Sequence, residues 1–434
     1  MNVKRNAVNL NLPFRETGGE KLLQYIWQFQ YFNTSDLQTV AGEKIQIVAP
    51  GKLNNNQGPD FTNAQIKIDT TTLFGSVELH LKTSQWKEHG HSHDPNYKNV
   101  ILHVVFENDV IESPVPVLEL QPRVSNFLLD RYSSLMNSPA FIPCGNSVLE
   151  VKEITWLSWK ERLLAERLTR KSALVFQFIE ENNAHWEECF WWMLARNFGM
   201  KTNSEAFEAI ARSIPVTVLA KHKNQIHHLE ALLLGQAGLL TGTFNEEYPK
   251  LLQREYNFLK NKYELQPIFI PVHFLRMRPG NFPTVRLAQL AALIQNSAHL
   301  FSKVLDANTT VELRKLFDVT ANDYWHYHYQ LGEASRFKKK TIGKSMIDNV
   351  IINTIVPVIF AYGLYHKEEK FKDKAIRFLD ETEAEENFII RGFKQLALQN
   401  SSAFDSQAFI ELKTQYCDHK HCLKCAIGNA LLKT

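Results

Sequence analysis

The sequence has little that would place it in a membrane, outside the cell or on a charged polymer. No apolar run within its 434 residues reaches the roughly 18 that a bilayer requires. The best candidate, Val350 to Tyr365, is shorter and carries Asn353 and Pro357. The start, Met1 to Arg15, lacks the apolar centre of a secretory leader. Neither sign of charge dominates: 49 basic residues against 46 acidic leave a net +3. That excludes a whole-surface electrostatic grip on nucleic acid but leaves room for a local basic groove. No repeat of about 34 or 40 residues is visible, so a solenoid is not supported. These absences predict a cytoplasmic protein without a membrane partner.

Hydrophobic residues make up 44% of the chain and aromatics 11%, enough for a sizeable core. Length predicts two or three domains. The fold class expected is α+β, in two parts. Residues 1–140 read as a mixed β-sheet module with a flanking helix, and 141–434 as a large, mainly helical region. Leu22, Leu23, Ile26, Phe29 and Phe32 predict a helix over 19–32. Short strands follow at Lys44–Ala49, Ala64–Asp69, Gly75–Lys82, Val100–Phe106 and Val115–Leu120, with an Asn- and Gly-rich loop at Gly51–Gly58. Val100–Phe106 is almost wholly apolar, as a strand covered on both faces would be. Beyond residue 150 the apolar spacing turns helical, punctuated by Pro215, Pro267, Pro271, Pro279 and Pro283.

Chemistry concentrates in Gly58-Pro59-Asp60-Phe61 and Val77-Glu78-Leu79-His80-Leu81-Lys82. Side chains alternate along a strand, so Val77, Leu79 and Leu81 facing the core put Glu78, His80 and Lys82 on the other face. Asp60 is placed to meet Glu78 across the sheet. Two carboxylates on adjacent strands make a hard oxygen site for Mg²⁺ or Mn²⁺, and His80 or Lys82 would orient or deprotonate an attacking water. The plain alternative is an antiparallel sheet with one solvated polar face. Next come His89, His91, His93 and Asp94, which could ligate zinc as a second site, or simply form an exposed loop. His103, inside an apolar strand, reads first as a hydrogen-bonded core residue.

Five cysteines are present, and Cys417, Cys422 and Cys425 form a C-x4-C-x2-C cluster. In a cytosolic chain that clustering predicts metal ligation more than disulfides. A fourth ligand is needed for Zn²⁺ or a [4Fe–4S] cluster, and Cys144 is the natural one, with His419 or His421 as alternatives. Cys189, in an aromatic helix, reads as core. In the helical region Arg278, Arg286, Lys338, Lys339 and Lys340 are the candidate contacts to a phosphate backbone; a rigid Pro-rich turn and a solvated loop are the bland alternatives.

The Pro-Asp pair, the acid on a strand and a basic residue two positions on resemble the PD-(D/E)XK nuclease superfamily. That resemblance covers about a hundred residues and implies metal binding at Asp60 and Glu78, with phosphodiester cleavage as the activity. It departs in having His80 where the superfamily carries lysine, and in the short, Pro95-containing segment before Val100. The cysteine arrangement is similar to the cluster that ties chain ends together in some helicase-associated and CRISPR-associated nucleases, except that Cys144 follows the nuclease-like core. The whole chain also resembles a bacterial family known only as a domain of unknown function, through Gly-Pro-Asp-Phe (58–61), Val-Glu-Leu-His (77–80), Gly-Gln-Ala-Gly-Leu-Leu (235–240), Arg-Pro-Gly-Asn-Phe-Pro (278–283) and the terminal cysteines. Three readings therefore stand: a metal-dependent nuclease or nuclease-derived protein, a non-enzymatic metal-stabilised scaffold, and a zinc-dependent hydrolase.

Overall fold

The computed structural model describes residues 19–433 apart from Asn55, Arg276, Met277 and Ala298. The segment read as lacking a leader lies outside the described residues. Among those described, the chain divides into two compact units, one of 19–159 with 412–433 and one of 160–411. The boundary expected at 140 therefore falls at 159. The cysteine-bearing C-terminus, expected with the helical region, belongs to the sheet unit. The reason is burial: Cys422 and Leu432 sit in the same apolar core as Trp27, Phe61, Val77 and Leu102. Arg131 Nη1 also donates to the Leu431 carbonyl at 2.5 Å.

The first unit opens with helix α1 (Gly19–Phe29), which has Glu20 in its first turn and buries Leu22, Leu23, Ile26 and Trp27. Strands β1 (Ile45–Ala49), β2 (Lys52–Leu53), β3 (Phe61–Ile68), β4 (Thr71–Lys82), β5 (Val100–Glu107) and β6 (Val117–Glu119) follow. They form one sheet in the order β1-β3-β4-β5-β6, with β2 also pairing β3. The β1, β3 and β4 pairings are antiparallel; β4 with β5 and β5 with β6 are parallel. A parallel pair needs a crossover. Here it consists of the short helix α2 (Gln85–Glu88) and two 3-10 turns, His91–His93 and Pro95–Tyr97. Pro95 and the left-handed Gly90 (φ 73°) keep a long helix from forming. Strand β4 is buried on both faces from Gly75 to His80. The expected polar face is thus covered by the crossover rather than solvated. Helix α3 (Asn126–Asn137), a 3-10 turn at Val148–Glu150 and the start of α4 (Glu153–Glu181) follow.

The second unit is helical, as the periodicity predicts, with one small hairpin at 328–334. The apolar run read as too short for a bilayer is part of the stretch Lys344–His366, 23 residues long once a π-turn at Ile351–Ile355 is included. By length and composition alone this helix could cross a membrane, but 72% of its apolar window is buried inside the protein. Its polar groups are matched there: Lys171 Nζ donates to Asn353 Oδ1 at 2.9 Å, and Asn197 Nδ2 to Thr354 Oγ1 at 2.9 Å.

One buried acid in this unit gives a pH prediction. Glu230 is fully buried; its Oε2 accepts from Tyr248 and Trp325, while Oε1 has no partner among the described residues. Burial pushes its carboxyl up to about 7. The folded chain therefore favours the protonated acid, so stability is greatest below the ordinary carboxylate range and falls as pH rises towards 7. The gap from an ordinary 4.5 to about 7 corresponds to about 3 kcal/mol. Glu230→Gln should flatten that pH dependence. Urea unfolding at pH 5 and pH 8 checks it: the wild type should lose most of this difference, and the variant little.

Candidate metal centre

Asp60 stands just before β3, whose first residue Phe61 pairs with Val77 of β4. That register sets Asp60 beside Glu78. The Asp60 amide donates to Glu78 Oε2 at 3.0 Å, and the Leu79 amide donates to Asp60 Oδ2 at 3.0 Å. Gln24, from α1, donates to Asp60 Oδ1 at 2.7 Å. The other Glu78 oxygen faces the histidines. Oε1 lies 3.5 Å from His80 Nε2 and 3.4 Å from His91 Nε2. His80 Nε2 lies 3.1 Å from His89 Nδ1 and 3.3 Å from His91 Nε2.

These separations bear on what the cluster can hold. Ligand atoms about 2.05 Å from a tetrahedral ion sit about 3.3 Å apart. The four measured edges, 3.1 to 3.5 Å, bracket that value. His80, His89 and His91 have their donor atoms mutually within 4.8 Å. Each neutral imidazole has one N–H and one lone pair, so three nitrogens facing one another cannot all be satisfied by sharing protons. A divalent cation would satisfy them together.

The electrostatics agree. Burial, then the neighbouring rings of His103, His89 and His91, pushes His80 down to about 3. Burial also lowers His91, and takes His103 down to about 4. The rings are held neutral, the form that ligates metals. The approach of Glu78 to His80 is therefore not an ion pair. Burial, then the charge of Asp60, pushes Glu78 up to about 8. Burial raises Asp60 to about 6 against the amide of Leu79 and the side chain of Gln24, which lower it.

Supporting groups fix the rings. His80 Nδ1 lies 2.8 Å from His103 Nε2. With the Nδ1 proton given to His103, His80 presents its Nε2 lone pair to the cluster. His91 stacks on Tyr97 with ring centroids 3.8 Å apart, and Trp86 packs edge-on to His91. Burial, then Glu78 and Asp60, raises the Tyr97 hydroxyl to about 12.

The structure thus merges two sites that the sequence separates. Asp60, Glu78 and His80 adjoin His89 and His91 in one cluster, while His93 and Asp94 stay out of it. His93 is exposed and lines an open groove with Trp86, Lys87, Gly90 and Ser92. Asp94 caps the second 3-10 turn, accepting from the Asn96 amide. Lys82 is exposed and lies 3.9 Å from Glu107 and 4.0 Å from Asp109. Gln24, Tyr97 and the role of His103 had no sequence signal beyond residue type. In the second unit Arg278, Lys338 and Lys339 are exposed. Arg286 is buried and donates to Gln289 and Asn281. Lys340 is buried too, its ammonium 3.7 Å over the Tyr329 ring.

The four predicted thiols meet in the first unit. Cys144, Cys417, Cys422 and Cys425 line one cavity, with Leu412, Tyr416 and Ile427 in its wall. His421 also reaches that wall, whereas His419 is exposed. Cys189 is buried in the core of the second unit, as its helix predicts.

Fold and site together define an α+β protein whose sheet unit gathers three histidines and two carboxyls into one cluster. The chain belongs to the family described as a protein of unknown function, DUF2851, which it matches over residues 20–388. Every member of the histidine–carboxylate cluster falls inside that span, as does Cys144; Cys417, Cys422 and Cys425 lie beyond it. No curated protein and no solved structure matches the chain.

Proposed function

We propose that the sheet unit is a metal-dependent hydrolase centre of the phosphodiesterase type, acting on nucleic acid. The observation that carries this reading is the convergence of Glu78, His80, His89 and His91 beside the buried Asp60. Imidazole-rich ligation favours Zn²⁺ or Mn²⁺ over Mg²⁺, which prefers oxygen. A bound ion there would polarise a phosphoryl oxygen and acidify water. Glu78 and the three histidines would hold it. Asp60, directly beside Glu78, would take a proton from the attacking water. Gln24 and the Leu79 amide keep that carboxylate aimed.

Phosphodiesters are the substrate class that the topology supports. An antiparallel β1-β3-β4 meander, an aspartate before β3, Glu78-Leu79-His80 on β4 and a parallel β5 are the arrangement that the nuclease resemblance implies. Arg278, Lys338 and Lys339 are the exposed cations offered to a phosphate backbone; Arg286 and Lys340 are better placed to brace the loops that carry them.

Asp60→Asn preserves the shape and one acceptor oxygen while removing the base. It should leave zinc or manganese binding intact and lower cleavage of DNA, RNA or a nitrophenyl phosphodiester by about 10²- to 10⁴-fold. A wild-type protein loaded with either metal that cleaves none of these would sink the reading. The count of four protein ligands favours a second reading, a structural metal site, because closed sites stabilise folds. Exposed His89 separates the two. In a structural site His89→Ala lowers the melting temperature of the metal-loaded protein; in a hydrolase it changes turnover more than melting.

A further inference from the structure

The second unit holds a cavity of about 490 Å³, within the range of small-ligand sites. Its charge is one-sided. Arg170, Lys171, Arg196 and Lys201 line it, and among the described residues no carboxylate does. Arg170 and Lys171 come from α4, Arg196 from helix α5 (Trp186–Phe198) and Lys201 from helix α6 (Met200–Ser213). The acids behind this wall do not cancel it. Arg167 and Arg170 share the single carboxylate of Glu411, at 3.1 and 2.5 Å. Arg196 is matched by Glu208, which Arg212 also contacts. Lys171 Nζ donates to the neutral oxygens of Asn353 and Gln407, and Lys201 is exposed.

The backbone is irregular at the same place. Met200 opens α6 in the left-handed region (φ 56°), unusual for a side chain of its size. Asn353 lies in the π-turn Ile351–Ile355. Both residues face the cavity. Strained residues and π-turns cost free energy and gather at functional sites. Burial, then the neighbouring Arg167, lowers Lys171 to about 7. An anion in the cavity would hold that amine charged.

The lining also sets the class of anion. A carboxylate needs one cation; this array suits a group with two or more negative charges, and guanidinium forks match phosphate oxygens. The carboxamides of Asn197, Asn349 and Asn353 add polar contacts. Leu174, Met193 and Pro357 add apolar surface for an uncharged body.

We propose that this cavity binds a phosphorylated ligand of nucleotide size, with Arg170, Lys171, Arg196 and Lys201 taking the phosphate. None of the residues of the histidine–carboxylate centre takes part, so the site stands apart from the hydrolase reading.

The four ribonucleoside monophosphates, and a short single-stranded oligonucleotide with and without a terminal phosphate, are titrated calorimetrically into the full chain. EDTA is present, so that no metal at the histidine–carboxylate centre contributes. Saturable binding of a monophosphate, one per chain, is the expected result and assigns a free nucleotide. Binding of the strand only when it carries its terminal phosphate supports the same site and assigns the end of a strand. Lys201→Glu, at an exposed position, should weaken either by at least about 10-fold. Lys223→Glu, exposed and outside the cavity, should not. No binding of any ligand at about 1 mM, binding of the strand alone regardless of its terminal phosphate, or equal affinity in wild type and Lys201→Glu would each overturn the proposal.

Discussion

His80→Ala should weaken zinc binding at the histidine–carboxylate centre by at least about 10³-fold, since even groups that only orient a ligand are worth 10- to 100-fold. His80 is the hub of the site. Three of the four measured ligand edges start from its Nε2, and its Nδ1 meets His103. The effect can be read without any assay of activity. Zinc at about a thousand times the wild-type dissociation constant should stabilise the wild type by about 4 kcal/mol, and a variant weakened a thousandfold by about 0.4 kcal/mol. Thermal unfolding with and without zinc measures both. His93→Ala is the control: its side chain is exposed and outside the cluster, so it should keep the wild-type zinc shift. An equal shift in His80→Ala would move the metal elsewhere.

The second large effect is expected at Gly75, far from any ligand in chemistry but close in architecture. A Cβ at this position would lie 2.4 Å from the Asn99 carbonyl oxygen and 2.6 Å from Ile101 Cγ2. The first is backbone and cannot rotate away. The Ser76 amide donates to that same Asn99 carbonyl at 2.8 Å, starting the parallel pairing of β4 with β5. Gly75→Ala must therefore pry the two strands apart where the crossover returns. The expected cost is about 3 kcal/mol, at the upper end for overpacking. Because β4 carries Glu78 and His80, β5 carries His103 and the crossover carries His89 and His91, zinc affinity should fall with stability. Gly280→Ala, where an added Cβ meets nothing within 4 Å, should be near neutral. Urea unfolding of both variants, followed by zinc titration, provides the comparison.

Strand positions were legible in the sequence because alternation along β4 and the apolar run of β5 are local signals. The meeting of Asp60 with Glu78 was legible for the same reason. Coverage was not. Alternation equates Glu78, His80 and Lys82, but the crossover roofs the strand only as far as His80, so Lys82 is exposed near Glu107 and Asp109. His89, His91 and His93 also mislead by their even spacing, which suggests one face of an extended segment. The chain instead turns at left-handed Gly90 and enters a 3-10 turn. Residues two apart in such a turn point in different directions, which separates His91 from His93. Gln24 and Tyr97 reach the cluster from elements whose sequences betray no chemistry. The boundary at 159 was hidden because it depends on the return of residues 412–434, a tertiary event without a local mark.

That return has a consequence for how the protein is made. The first unit is assembled from two stretches of chain separated by the whole of 160–411. On a ribosome adding about 5–20 residues per second, roughly 10–50 s elapse between emergence of the sheet and of the segment that completes it. Throughout that interval the surface destined for Cys422 and Leu432 is bare, and Cys144 waits without its three partners. The second unit, being continuous, can close while the first is still open. A nascent chain arrested before residue 412 should therefore present a finished helical unit and an unfinished sheet unit, making the stretch after residue 411 the step that commits the sheet.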